Sequence, residues 1–426
     1  MNTHSDSKNA LNILILSATF PPRGGSGVQR VYYQAELLSK SGNNVWVVTE
    51  NSEQTWVKDN TFELKYTDSE KVRKTIDGKN LWRKLLIRAG KWIGLCRPYP
   101  DAHTYWQQSA LDESSQIINA HIVDIILVSL GSPSALEVAY RLKQKFHHLR
   151  IVIDVRDLWV GNPVRFMGRG RWQPFRDLRD QVSERRWFSI ADGVVNVSQH
   201  HSQVLQKRYP EIPAERFHVI QNGFHEEAFG KAVPLRDEGD VLVIRYLGFL
   251  LPEMQGQVFF RALKHVVDND PLNGNGIRCE FYGGNPQFIQ QEAERAGVSQ
   301  FVQANGYVDH EQAVSLMLGA DVLLLFWTND PGCMCGKFYE YLRSGRYILA
   351  FDQNNVDARE VLEESARGDW LSINDTDGHK RKLRKLLETR RSGIPIQQKN
   401  LPEVAKFSRQ SQTNELAKIL ATTTSR

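Results

Sequence analysis

The chain has 426 residues, of which 41% are hydrophobic and 10% aromatic, which argues against general disorder and suggests two or three buried cores. Its four cysteines (Cys96, Cys279, Cys333, Cys335) form no paired framework, residues 1–12 lack a signal peptide's basic stretch and apolar core, and no apolar run is long enough to span a bilayer. These features lead us to expect a cytoplasmic protein, with a net charge of +5 that is modest but unevenly spread.

Apolar strand-like runs alternate with helical patterns from end to end, as in a parallel sheet covered by helices. In chain order they read as a strand at 12–17, a Pro/Gly loop, a helix at 28–40 and a strand at 45–49. Further strands are predicted at 122–130, 151–155 and 193–197, and residues 218–220 lead into the turn pair Asn222-Gly223. Residues 231–240 turn polar and charged, which predicts an interdomain linker. The alternation then resumes with strands at 241–246, 279–282, 301–306, 321–326 and 347–351. Helices are predicted at 257–267, 314–318 and 337–344, and the end of the chain, 407–420, reads as one amphipathic helix. The expected fold is α/β, with two Rossmann-like doubly wound domains facing across a cleft, where ligands of this architecture bind. The predicted divisions are 1–230, 231–403 and a final helix, 404–426, crossing back to the first domain.

Two stretches are strongly basic. Residues 79–97 hold six basic residues and no acid, interleaved with Leu81, Trp82, Leu85 and Trp92; residues 165–186 hold seven arginines against Asp177, Asp180 and Glu184. Such patches suit phosphate-bearing partners. The first, with its two tryptophans, suits a membrane headgroup region, or else packs on its domain with its lysines snorkelling. Neither contains a recognisable motif for reading nucleic acid.

Gly24-Gly25-Ser26-Gly27 follows the first strand and opens a helix, so backbone amides and the helix terminus would meet a phosphate. Gly25 and Gly27 also have the spacing of a dinucleotide fingerprint, with Glu50 placed for a ribose, although Arg30 stands at the third glycine position. The segment 20–30 resembles the opening of the family-4 retaining glycosyltransferases. That resemblance implies that Gly25, Ser26 and Gly27 line the reaction centre, with Arg30 a phosphate or acceptor contact.

Near the other end, residues 336–345 (GKFYEYLRSG) place Lys337 and Glu340 on one face of a helix's first turn. A lysine meets phosphate charge and a carboxylate accepts from two ribose hydroxyls; the alternative is an exposed ion pair between the two. The stretch resembles the same family's donor motif, which implies that Glu340 holds the donor ribose and Lys337 the diphosphate, with Gly248 in the loop beneath. The family's earlier glutamate is replaced by Gly332, with Asp330 out of register, and Phe249 and Gln255 stand where the family carries basic residues. The segment 154–159 (DVRDLW) is similar to one in the branch that assembles bacterial surface polysaccharides. This implies that Asp157 orients or deprotonates an acceptor hydroxyl, that Arg156 binds an acceptor phosphate, and that Trp106, after Asp101, lies on the acceptor side.

Together the resemblances, spanning about 12–420, imply a retaining hexosyltransferase of the GT-B fold. It would use a nucleotide-sugar co-substrate, a UDP-sugar being expected, with no metal or other cofactor, and a glycan or lipid-linked acceptor at the inner membrane face. Two alternatives remain: a sugar-nucleotide epimerase or hydrolase on the same fold, and a non-catalytic partner subunit. Cys333-x-Cys335 lacks the further ligands that a metal site needs.

Overall fold

The computed structural model describes residues 10–50, 61–67, 98–162, 173–236, 240–352, 354–396 and 402–424. The basic stretch at 79–97, and with it the expected headgroup surface there, lies outside the described residues. So do Cys96 and residues 165–172 of the arginine-rich stretch. The described chain divides into two compact units, residues 1–221 with 412–426, and residues 222–411.

In the first unit the elements run β1 (Asn12–Leu16), α1 (Ser26–Lys40), β2 (Asn44–Glu50), β3 (Glu63–Thr67), α2 (Gln107–Ala120), β4 (Ile125–Leu130) and α3 (Pro133–Lys145). β5 (Arg150–Val155), α4 (Gln173–Phe188), β6 (Gly193–Asn196), α5 (Gln199–Arg208) and β7 (Phe217–Val219) follow. The strands form one sheet in the order β3-β2-β1-β4-β5-β6-β7, and every pair is parallel. Its central strands β1, β4 and β5 are mostly apolar, with polar residues confined to their ends, because both faces are covered. Alternate residues of β1 divide between two cores: Leu14 and Leu16 pack with Ile126, Val128, Ile151 and Ile153, while Ile13 and Ile15 pack with Ile125, Leu127 and Val152.

The second unit contains α6 (Glu226–Lys231), β8 (Leu242–Leu247), α7 (Gln257–Asp268), β9 (Ile277–Tyr282), α8 (Pro286–Ala296), β10 (Val302–Ala304) and α9 (His310–Gly319). It continues with β11 (Val322–Phe326), α10 (Gly336–Ser344), β12 (Tyr347–Asp352), α11 (Val356–Ser365), β13 (Gly368–Ser372) and α12 (Thr376–Arg391). Its sheet, again all parallel, has the order β10-β9-β8-β11-β12-β13. The last helix, α13 (Arg409–Thr424), sends Leu416 and Leu420 into the second core of the first unit.

Both sheets are doubly wound, so the chain has the α/β fold with two Rossmann-like domains that its patterning predicts. The division, however, falls between Gln221 and Asn222 rather than in the polar stretch 231–240. That stretch is tied to the second unit: Leu235 N donates to Ser315 O, Arg245 donates to Leu235 O, and Arg236 pairs with Asp321. Its described residues, 231–236, are thus an anchored segment of the second unit, not a linker. Among the described residues no helix is long and apolar enough to cross a membrane.

Candidate functional site

Ligands of doubly wound sheets bind beyond the carboxyl ends of the strands, and in both units the loops there carry the residues singled out by sequence. In the second unit α10 starts just after β11 and its connecting loop. Cys335 caps it without a side-chain hydrogen bond, which leaves its first-turn amides without that partner. The loop ahead of it is held from both sides, since Cys333 O accepts from Trp327 Nε1 at 2.8 Å and Asn355 Nδ2 at 2.7 Å. Asp330 Oδ1 accepts from Gly332 N at 3.0 Å, so this carboxylate is engaged in closing the turn.

Lys337 and Glu340 do not pair with each other, which removes the ion-pair alternative. Lys337 Nζ donates to the Tyr246 hydroxyl at 2.8 Å and sits 4.2 Å from the centre of that ring. The phenol is pushed well above its ordinary pKa by burial, so it meets the ammonium as a neutral group. Lys337 also lies against Gly248, whose φ of 137° belongs to glycine. The loops after β8, β9 and β10 are tied together there, Gly248 N bonding Tyr282 O at 2.8 Å and Gly283 N bonding Gly306 O at 2.9 Å. The exposed rings of Phe249 and Tyr307 stand on the first and last of these loops.

One turn along α10, Glu340 is only 9% exposed, and a buried carboxylate needs a partner. The partner is His310, whose Nε2 stands 2.7 Å from Glu340 Oε1. Their hydrogen bond, opposed by burial and aided by the Glu340 charge, raises the His310 pKa above its ordinary value. Sequence reasoning missed His310: it lies 30 residues from Glu340, and its only local signal is its place as the first residue of α9, after the Asp309 N-cap.

In the first unit Gly25 caps α1 at φ 119°, and its carbonyl accepts from Val28 N and Gln29 N. Arg156, from the end of β5, threads its guanidinium between Gly27 and Gly131: its Nε stands 3.4 and 3.3 Å from where a Cβ on each would lie, with the guanidinium nitrogens closer still. Burial lowers the Arg156 pKa against the opposing charges of Asp154 and Asp157, and Nε finds no acceptor. Beside it Asp157 is exposed at the strand end. The structure thus brings Gly27, Arg156 and Asp157 to one sheet edge in the first unit, and Gly248, Lys337 and Glu340 to one edge in the second.

Two expectations need correction. Arg30 is 4% exposed and points inward. It grips both carboxylate oxygens of Asp154 at 2.9 and 2.8 Å and donates to Gln221 O and Ile220 O, so it braces the strand ends instead of meeting an acceptor. Trp106 is 0% exposed and packs in the first core with Ala110, which removes it from the acceptor side. Asp101 caps α3, accepting from Ser132 Oγ at 2.6 Å and Ser134 Oγ at 2.7 Å. Glu50, where a dinucleotide ribose would be held, is bonded to His103 at 2.7 Å and Arg23 at 3.3 Å. Among the described residues no group of three or more His, Cys, Asp or Glu side chains could hold a metal ion.

Comparison with known proteins agrees with the fold. Residues 24–228 match the model of Glycosyltransferase Family 4, whereas no curated protein matches the chain in sequence. Among solved structures, a glycosyltransferase from Rickettsia africae is 14% identical, with 97% of this chain and 99% of that one covered and a TM-score of 0.61. Anabaena HepE, solved with UDP and glucose, is likewise 14% identical over 97% and 100% of the two chains at a TM-score of 0.61. WaaG, a glycosyltransferase involved in lipopolysaccharide biosynthesis, is 14% identical over 96% and 99% at a TM-score of 0.62. The chain therefore has the two-domain fold of these glycosyltransferases, and within it residues 24–228 match the Glycosyltransferase Family 4 model.

Proposed function

We propose that the protein is a retaining glycosyltransferase that takes a sugar from a nucleoside diphosphate donor, a UDP-sugar, and passes it to a glycan or lipid-linked acceptor at the cytoplasmic membrane face during surface-polysaccharide assembly. The observation that carries this reading is the arrangement on α10. Lys337 is poised over Gly248 for a diphosphate, and one turn on the Glu340–His310 pair presents a carboxylate to a ribose. Phe249 and Tyr307 offer rings on which a base can stack. The UDP and glucose in the HepE structure and the lipopolysaccharide role in WaaG's description support the donor and acceptor classes.

In the proposed reaction the bond from the anomeric carbon to the diphosphate oxygen breaks while the acceptor oxygen bonds to that carbon on the same face. The acceptor proton passes to the departing diphosphate. Lys337 and the first amides of α10 neutralise the charge developing on the leaving group in place of a bound metal. Asp157 positions the acceptor hydroxyl and Arg156 an acceptor phosphate.

The test is a thermal-shift titration with a panel of nucleoside diphosphates and NAD, repeated on Glu340→Ala. Stabilisation by one nucleoside diphosphate that disappears in the variant supports the reading and identifies the base. A response to NAD alone, or to nothing, overturns it. With the donor in hand, nuclear magnetic resonance of the product's anomeric centre decides between retention and inversion.

A further inference from the structure

Helix α4 carries an exposed apolar stripe that no part of the donor or acceptor machinery uses. Phe175, Leu178 and Val182 are 69%, 61% and 63% exposed, and no other helix among the described residues has more than one large exposed apolar side chain. At 3.6 residues per turn the three fall within about 60° of one another. The helix is fixed by its opposite face: Asp180, Glu184, Trp187 and Phe188 are buried, and Glu184 accepts from Val160 N at 3.2 Å and Arg208 at 2.7 Å. The stripe therefore points outward from a helix that is firmly seated.

The distribution of charge around α4 is one-sided. Its three acids, Asp177, Asp180 and Glu184, all fall on the seated side by the same helical geometry, whereas Arg179 and Arg186 border the stripe on one side and Arg185, paired with Glu211, on the other, all three exposed. Arg186 reaches Glu137. Arg179 has its guanidinium 3.6 Å from the centre of the Tyr99 ring and pairs with no carboxylate among the described residues. An outward face made of aromatic and aliphatic side chains beside guanidinium groups, with no acid of α4 itself on it, matches an acyl-chain boundary topped with phosphates.

We propose that the outward face of α4 docks the first unit on an anionic phospholipid surface, with Phe175, Leu178 and Val182 entering below the headgroups and Arg179 meeting lipid phosphates. This deepens the membrane-face part of the functional reading and rests on it. The site differs from the one expected from sequence at residues 79–97.

The experiment is co-sedimentation of the full chain with phosphatidylcholine vesicles, with and without phosphatidylglycerol, at low and high salt. The wild type is expected to bind only the anionic vesicles, and less at high salt. The triple variant Phe175→Ser, Leu178→Ser, Val182→Ser is expected to lose about tenfold or more in partitioning, with an unchanged melting midpoint. Arg179→Glu, which leaves the stripe intact, is expected to weaken binding to the anionic vesicles as well. Wild-type protein that ignores both vesicle types, or a triple variant that partitions like wild type, overturns the proposal. So does a wild-type dimer on size exclusion that the triple variant abolishes without any effect on vesicle binding, since a second copy then covers the stripe. Nucleoside diphosphate thermal shifts on the same samples separate the failures: a retained shift with no vesicle binding removes only the docking face, and a lost shift in the wild type removes the donor reading itself.

Discussion

Replacing Glu340 by glutamine tests the donor assignment at its most exposed point. The carboxylate has two oxygens; Oε1 is 2.7 Å from His310 Nε2, so Oε2 remains the principal acceptor for ribose hydroxyls. A hydrogen bond to a charged acceptor contributes about 1.5–3 kcal/mol, so Glu340→Gln should weaken binding of the cognate nucleoside diphosphate roughly tenfold to 150-fold, at about 1.4 kcal/mol per decade. A 2′,3′-dideoxy nucleoside diphosphate should lose a similar amount with the wild type, because it lacks the groups Glu340 accepts from. The decisive quantity is the coupling between the two changes, measured by titration calorimetry over the four combinations. If carboxylate and hydroxyls touch, the dideoxy ligand binds wild type and variant with nearly equal affinity. If the two losses simply add, Glu340 does not hold the ribose and the assignment is wrong.

Four further outcomes follow from the same geometry. Gly248→Ala places a side chain at φ 137° with its Cβ 3.1 Å from Lys337 Cε; it should cost about 1–3 kcal/mol of stability and weaken nucleotide binding, whereas Lys337→Met should weaken binding without that loss, as chemical denaturation and calorimetry will show. His310 has a raised folded pKa, so its protonation stabilises the fold fully below about pH 6.5 and this is lost as pH rises through the folded value; the melting gap between wild type and His310→Gln should therefore narrow with rising pH, and a constant gap refutes the pairing. Asp154→Asn removes one half of a buried pair and should destabilise the first unit by about 3–5 kcal/mol, read by denaturant unfolding, with nucleotide affinity intact. Gly131→Ala should expel the Arg156 guanidinium and raise KM for a phosphate-bearing acceptor more than it lowers kcat, with the melting midpoint nearly constant.

The parts of the molecule legible in sequence were those whose signal is local. The central strands β1, β4, β5, β8, β11 and β12 are predominantly apolar runs, and the glycine loop and the Lys337–Glu340 turn each lie within a dozen residues. Strands β3 and β13 escaped notice because they are edge strands, half-buried and chemically mixed, ELKYT and GDWLS, so neither alternation nor an apolar run marks them. His310 was invisible because its partner is brought by α10 and not by its neighbours in sequence. Trp106 misled because a tryptophan near a Pro-x-Pro segment reads equally as a surface anchor or a core residue, and only tertiary packing decides. Residues 231–236 misled by composition, since polarity reports solvent contact and not a boundary.

The two arginines of the first unit show how burial separates scaffolding from a group available to ligand. Arg30 and Arg156 stand at the same sheet edge, and Asp154 acts electrostatically on both. Burial alone would raise the Asp154 pKa; the Arg30 charge and hydrogen bonds from Arg30 and Gln34 outweigh it and hold the carboxyl below its ordinary range, so each oxygen of that carboxylate is already committed to Arg30. Arg156 is left with only the more distant attraction of Asp154 and Asp157, and it remains cationic because a guanidinium does not titrate in the accessible range. A desolvated cation with a buried Nε lacking an acceptor is a net cost to the folded unit, and a phosphate that reaches it recovers part of that cost. Replacing each by alanine should therefore separate the two: Arg30→Ala destabilises the first unit in denaturant unfolding, while Arg156→Ala leaves its stability nearly unchanged and weakens only the acceptor-phosphate contact proposed for it.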